Sequence, residues 1–294
     1  MKLSDCPSFF KIHNDGNFLS LGILRYSGDE VLSFLTDLSY LPILLNNSSI
    51  SCIITFPDFI CNIPSHIGIA YSSEPRRSFL ELHNYLALNT DFYSKSKFLT
   101  NIHPTAKVSP SAIIAENNVS IGERTIIHPN VVINKNVTIG SDVIIRAGSI
   151  IGTEGFYPQR YADKIYKGIH SGGVDIGEGS ELQANVTVCS GIFGGNTRVG
   201  QNCMIANGVD IAHDVTIGEK TLIGAGTILS GNLVIGSNVW IGPNSTISNN
   251  LVIGDGANIS LGSVVTCSVP HHTKYSGNFA IEHKKFLQFI RTIR

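Results

Sequence analysis

The chain has 294 residues, enough for one large core or two smaller ones, and only 15% of them are charged. Its formal net charge is −1, so the broad basic surface of a nucleic-acid binder is missing. No apolar run is long enough to span a bilayer, and the start, MKLSDCPSFFKIHNDG, lacks a basic stretch followed by an apolar one. These features predict a cytoplasmic protein with no membrane span. The 29 glycines and many β-branched residues favour strands and turns over long helices. Six cysteines, Cys6, Cys52, Cys61, Cys189, Cys203 and Cys267, show no C-x-x-C pair and no zinc-like grouping with histidine, and read as reduced, mostly buried thiols.

Residues 1–100 carry mixed runs such as SISCIITF and a helical pattern in EPRRSFLELHNYLAL, where Phe79, Leu82 and Leu86 share a face. This predicts a small separate α/β domain that ends within NTDFYSKSKFLT, residues 89–100. From Ile102 a different rule begins. Ile102, Val108 and Ile114 lead, with one extra residue, into Ile121, Ile127, Ile133, Ile139, Ile145 and Ile151, spaced by six. The excursion GTEGFYPQRYADKIYKGIHSGGVD then separates Ile151 from Ile176, and Val188 to Val199 falls one residue short of two hexads. From Val199 to Val265 every sixth residue is aliphatic, and the residue after each is small.

Such a period predicts short strands joined by turns, with each hexad sending an aliphatic side chain into a central column and the small residue fitting the corner beside it. Three hexads close one triangular coil, and coils stack through parallel strand pairing. The prism occupies residues 101–270. Long excursions from a solenoid often carry binding function. After Val265 comes the turn-rich exit SVPHHTKYSGNFA at 268–280, and a third segment, residues 271–294, is a C-terminal loop with one short basic amphipathic helix in IEHKKFLQFIRTIR.

One hexad, IAHDVTIG at 211–218, places an imidazole, His213, two residues after the column position Ile211. His103 and His128 stand instead in IHP turns and read as turn chemistry.

The hexads resemble the left-handed parallel β-helix of the hexapeptide-repeat acyltransferases, which work as trimers. GDEVLSFLTDLSYLPILLNNSSISCIIT at 28–55, GTEGF at 152–156 and IAHDVTIG at 211–218 resemble, more narrowly, the UDP-3-O-acylglucosamine N-acyltransferases of lipid A synthesis and related nucleotide-amino-sugar N-acyltransferases. The resemblance implies a mainly β fold, a homotrimer, a base-binding N-terminal domain and a general base at His213. It implies that Phe34 and Tyr40 sandwich a nucleobase, with Asp37 at the base edge where that family commonly carries asparagine; a carboxylate only accepts hydrogen bonds, whereas an amide also donates. Phe156, Asn207 and Asn250 complete the implied substrate-binding set, Asn250 standing where the family has a second histidine.

Acyl transfer from a thioester to an amine requires the amine to lose a proton, a task for a neutral imidazole titrating near working pH. Asp214 or Asn207 is placed to orient the ring, and Gly231 or Gly226 to bring a backbone N–H to the developing oxyanion. The implied donor is acyl coenzyme A or acyl-acyl carrier protein, with no permanently bound cofactor and no metal. The expected function is N-acylation of a nucleotide-linked amino sugar for lipid A, O-antigen or another surface polysaccharide. Two other classes stay open at this point: a metal-dependent β-helix hydratase resembling the γ-type carbonic anhydrases, and a non-catalytic trimeric sugar-binding scaffold.

Overall fold

The computed structural model of the protein describes residues 1–26, 28–93, 97–277 and 282–292. The chain divides into two compact units, Met1–Lys97 with Glu154–Gly173 and Gly191–Asn196, and Phe98–Thr153 with Val174–Ser190 and Thr197–Arg294.

In the first unit, strands β1 (Lys11–Asn14), β2 (Ser20–Leu21), β3 (Val31–Leu35), β4 (Ile50–Thr55) and β5 (Gly68–Tyr71) form one sheet in the order β1-β5-β4-β3-β2. Only β1 runs antiparallel to its neighbour. Parallel strands are covered on both faces, which is why β4 reads as a nearly unbroken apolar run. Side-chain alternation divides the sheet. Leu32, Cys52, Ile54 and Ala70 pack with helix α2, while Val31, Leu35, Ile53 and Ile69 pack with Leu44 of the short helix α1 (Leu41–Asn46). Helix α2 (Pro75–Asn89) buries Phe79, Leu82 and Leu86, the face expected from their spacing.

The excursion adds what periodicity did not reveal. Pro158–Arg160 and Ile165–Lys167 pair as an antiparallel hairpin. Ile192 and Phe193, from the second irregular stretch, join the α2 core of this unit. His83 of α2, fully buried, has its ring nitrogens 2.7 Å from the Tyr93 hydroxyl and 2.7 Å from the Ile169 carbonyl.

The second unit is a left-handed parallel β-helix, with sheets of nine, eight and eight strands among the described residues. Each coil gives one strand to each sheet, so that Ile205, Ile223, Ile241 and Ile259 stand in one register column. All twelve positions from Val199 to Val265 are buried, as are the six from Ile121 to Ile151. Ile102 is 39% exposed because it lies in the terminal coil, at the end of its sheet.

The expectation of one inward side chain per hexad is corrected to two. Residues two positions earlier, such as Val209, Val215, Leu233 and Val239, are buried as well, since strand side chains alternate with period two. Where that position is Ser or Thr, the hydroxyl is satisfied inside the stack. Thr221 Oγ1 donates to the Gly236 carbonyl at 2.9 Å and accepts the Val239 N–H at 3.2 Å. The small residue after the column fits its corner for a steric reason: a Cβ on Gly218 would lie 2.5 Å from the Gly236 carbonyl carbon of the next coil.

The six cysteines are free, but only Cys52, Cys189 and Cys203 are buried; Cys61 and Cys267 are exposed, which corrects the expectation of mostly buried thiols. Burial pushes the Cys189 thiol up to about 12 and that of Cys52 up to about 11. The C-terminal helix, α3, runs from His283 to Thr292. Among the described residues no helix is long and apolar enough to cross a membrane.

Candidate active site

His213 sits on a β-helix corner, between the strands Asp210–Ile211 and Thr216–Ile217, yet is only 6% exposed. The reason lies one coil away. The ring rests on Gly231, where a Cβ would meet Cε1 and Nε2 of the imidazole at 2.5 Å each. Any larger residue would take the space of the ring. The Asn232 N–H donates to the His213 carbonyl at 3.0 Å and the Asn250 N–H to that of Gly231 at 3.1 Å, so these residues occupy one corner in successive coils.

The same corner carries a left-handed backbone residue in several coils. Asn118, Asn136, Asn232 and Asn250 adopt φ of 60°, 62°, 59° and 60°, a conformation asparagine tolerates well. Asp214, at φ 58°, takes that place in the coil of His213. Its Oδ2 lies 3.0 Å from His213 Nδ1. An ionised carboxylate only accepts, so the proton resides on Nδ1 and the lone pair on Nε2, the nitrogen against Gly231. The Asp214 N–H in turn donates to Thr197 Oγ1 at 2.9 Å. Sequence reasoning missed Thr197. Its inward position carries Ser or Thr in several other coils, so no pattern marked it.

Of the two residues offered as ring orienters, the structure brings Asp214 to His213 and places Asn207 on a different corner, between Met204–Ile205 and Asp210–Ile211. There Asn207 Oδ1 accepts the Ala184 N–H at 2.9 Å and its carbonyl accepts the Gly226 N–H at 3.0 Å. Gly226 therefore belongs to the Asn207 corner, and of the two glycines only Gly231 lies against the imidazole. Asn250 shares the His213 corner two coils on, roughly 10 Å away by strand spacing.

The residues assigned to the base lie in the first unit. Phe34, on β3, is half-buried, its ring centroid 5.0 Å from that of Phe79. Asp37 caps the turn Leu38–Tyr40, with Oδ1 accepting the Ser39 N–H at 2.8 Å. That hydrogen bond holds its carboxyl below the usual range, and the group stays ionised and exposed. Tyr40 is 51% exposed and Phe156, in the excursion, 89%. His103 makes the local contact expected of a turn residue, Nδ1 to Thr105 Oγ1 at 2.9 Å. Among the described residues no group of three His, Cys, Asp or Glu side chains is placed to hold a metal ion.

Comparison with known proteins bears on the fold that carries these residues. The model of the bacterial transferase hexapeptide (six repeats) matches residues 118–153, 196–231 and 232–267. The blocks stop at Thr153 and resume at Asn196, the edges of the interrupted region. No curated protein matches the chain at the level of sequence. Among solved structures, the UDP-N-acetylglucosamine acyltransferase of Francisella novicida aligns with a TM-score of 0.50 at 25% identity, over 65% of this chain and 72% of its own. That of Campylobacter jejuni aligns with a TM-score of 0.50 at 21% identity, over 66% of this chain and 83% of its own, a likeness of fold.

Proposed function

We propose that this hexapeptide-repeat protein, which resembles the UDP-N-acetylglucosamine acyltransferases, moves an acyl group from a thioester to the amino group of a nucleotide-linked amino sugar. The observation that carries the reading is the His213–Asp214 pair laid on Gly231. The amine nitrogen attacks the thioester carbonyl and forms the C–N bond. His213 Nε2 takes the proton that the nitrogen sheds, while Asp214 stabilises the imidazolium through Nδ1–H. The Gly231 N–H is the donor offered to the oxyanion. Collapse of the tetrahedral intermediate breaks the C–S bond, and the imidazolium returns the proton to the departing sulfur. No metal or covalent enzyme intermediate enters this scheme.

In this reading Phe34 and Tyr40 hold the base, Asp37 meets its edge, and Phe156, Asn207 and Asn250 contact other parts of the substrates. The donor is acyl coenzyme A or acyl-acyl carrier protein, and the product serves lipid A or another surface polysaccharide. Thioester consumption with each donor, measured against a panel of nucleotide-linked sugars bearing either an amine or a hydroxyl, tests it. Turnover is expected with an amino sugar. Transfer only to hydroxyls overturns N-acylation, and no transfer to any acceptor overturns the acyltransferase reading.

The working form in this proposal is a homotrimer. Met204, Leu222 and Trp240 point outward from adjacent strands of one sheet and are 48%, 38% and 43% exposed, an apolar stripe of the kind that neighbouring prisms cover. Light scattering is expected to give about three chains per particle, in line with closed cyclic symmetry. A stable, active monomer would contradict it.

A further inference from the structure

We infer that Arg76 is the phosphate-binding residue of the nucleotide site, pairing with the diphosphate of the ligand whose base stacks on Phe34. The inference rests on the nucleotide-linked substrate proposed above.

Helix α2 opens with two adjacent arginines, Arg76 and Arg77, and neighbours in a helix face different ways. Arg77 is fully engaged. Its Nε lies 3.0 Å from Glu81 Oε1, Nη1 3.2 Å from Glu74 Oε2, and Nη2 3.2 Å from Asp163 Oδ2 and 2.7 Å from the Tyr166 hydroxyl. The carboxylates around the start of α2 are thus spent on Arg77, which fastens the excursion hairpin to the helix.

Arg76 has a different environment. It is exposed, and among the described residues no carboxylate stands within ion-pair distance of it. Its guanidinium carbon lies 5.8 Å from the centroid of the Phe34 ring, a cation–π contact near the outer limit of that interaction. It is also among the charges acting on Tyr161, whose buried hydroxyl has no hydrogen-bond partner among the described residues and is pushed up to about 12 by desolvation. The aromatic ring assigned to the base is therefore bordered by an uncompensated cation, with an unsatisfied hydroxyl in the same electrostatic neighbourhood.

That combination fits one ligand chemistry, a flat aromatic group joined to an anion. A base that stacks on Phe34 competes with the guanidinium for the ring. The displaced guanidinium gains more than it loses, because a bidentate pair with a phosphate is stronger than a distant cation–π contact. Arg76 thus positions the nucleotide and favours the phosphorylated ligand over the nucleoside.

The test is a titration of wild type, Arg76→Ala and Arg76→Lys with uridine, thymidine and guanosine diphosphates and with the matching nucleosides. Arg76→Ala is expected to weaken diphosphate binding roughly ten- to a hundredfold, the effect of losing charge-assisted hydrogen bonds, without weakening nucleoside binding. Arg76→Lys should recover part of the loss, since it keeps the charge without the fork. An unchanged melting temperature is expected of both variants. Equal diphosphate affinity in wild type and Arg76→Ala overturns the assignment while leaving the nucleotide reading standing. Parallel loss of nucleoside and diphosphate also overturns it, by making Arg76 a wall of the base pocket. A wild type that binds neither class of ligand overturns the nucleotide reading and this assignment with it.

Discussion

His213→Ala is expected to leave the β-helix folded and to lower turnover by about 10²- to 10⁴-fold, the usual range for loss of a positioned general base. The fold should survive because His213 is a corner residue outside the aliphatic core that holds the coils together. Removing the ring deletes the proposed proton acceptor and leaves the Asp214 N–H with its hydrogen bond to Thr197. The measurement is the single-turnover rate with a verified donor and acceptor, beside a thermal unfolding curve. Near-normal turnover would exclude the role. A loss of melting temperature as large as that of a core truncation would show instead that His213 serves the fold.

Gly231→Ala is expected to cost roughly 10²-fold in turnover, although the residue carries no titrating group. A misplacement of about 1 Å in a catalytic constellation produces a loss of that size. An alanine Cβ at this position would lie 2.5 Å from Cε1 and Nε2 of His213 and 3.1 Å from Nδ1, so the imidazole must leave its place. Gly231 is not among the residues with positive φ, so alanine meets no backbone strain there and the fold should lose about 1–3 kcal/mol at most. The double variant Gly231→Ala with His213→Ala separates the causes. It should be no slower than His213→Ala alone, because the methyl group acts only through the ring it displaces. Additive losses would assign Gly231 an independent effect, as expected if its backbone geometry at the oxyanion changes too.

Both predictions show where legibility ended. The six-residue spacing from Val199 to Val265 was sufficient to derive a stacked prism, because an aliphatic residue recurring once per short strand can be buried only if successive coils cover one another. His213 was legible for the same reason, as an imidazole in a pattern of aliphatic and small residues. Helix α2 followed from the spacing of Phe79, Leu82 and Leu86. These are properties of near neighbours in the chain, and a periodic sequence repeats them until they are unmistakable.

Neighbours eighteen residues apart are another matter. That Gly231 receives the His213 ring and that Gly226 stands on the Asn207 corner depend on which residues one turn of the β-helix superposes, whereas Asp214, the next residue in the chain, meets Nδ1 through the local bend of the corner. The sequence alone left each of those choices open. The excursion gave still less warning. Its hairpin is tied to α2 by Arg77 to Asp163 and the segment after it by His83 to Ile169, 86 residues apart in each case, while Ile192 and Phe193 join the α2 core of the first unit. Local pattern determined the repeating elements of this protein and singled out the imidazole of His213. Coil stacking and long-range contacts decided what surrounds that imidazole and where the interrupting segments pack, because a side chain's partners are set by the space the fold leaves and not by its place in the chain.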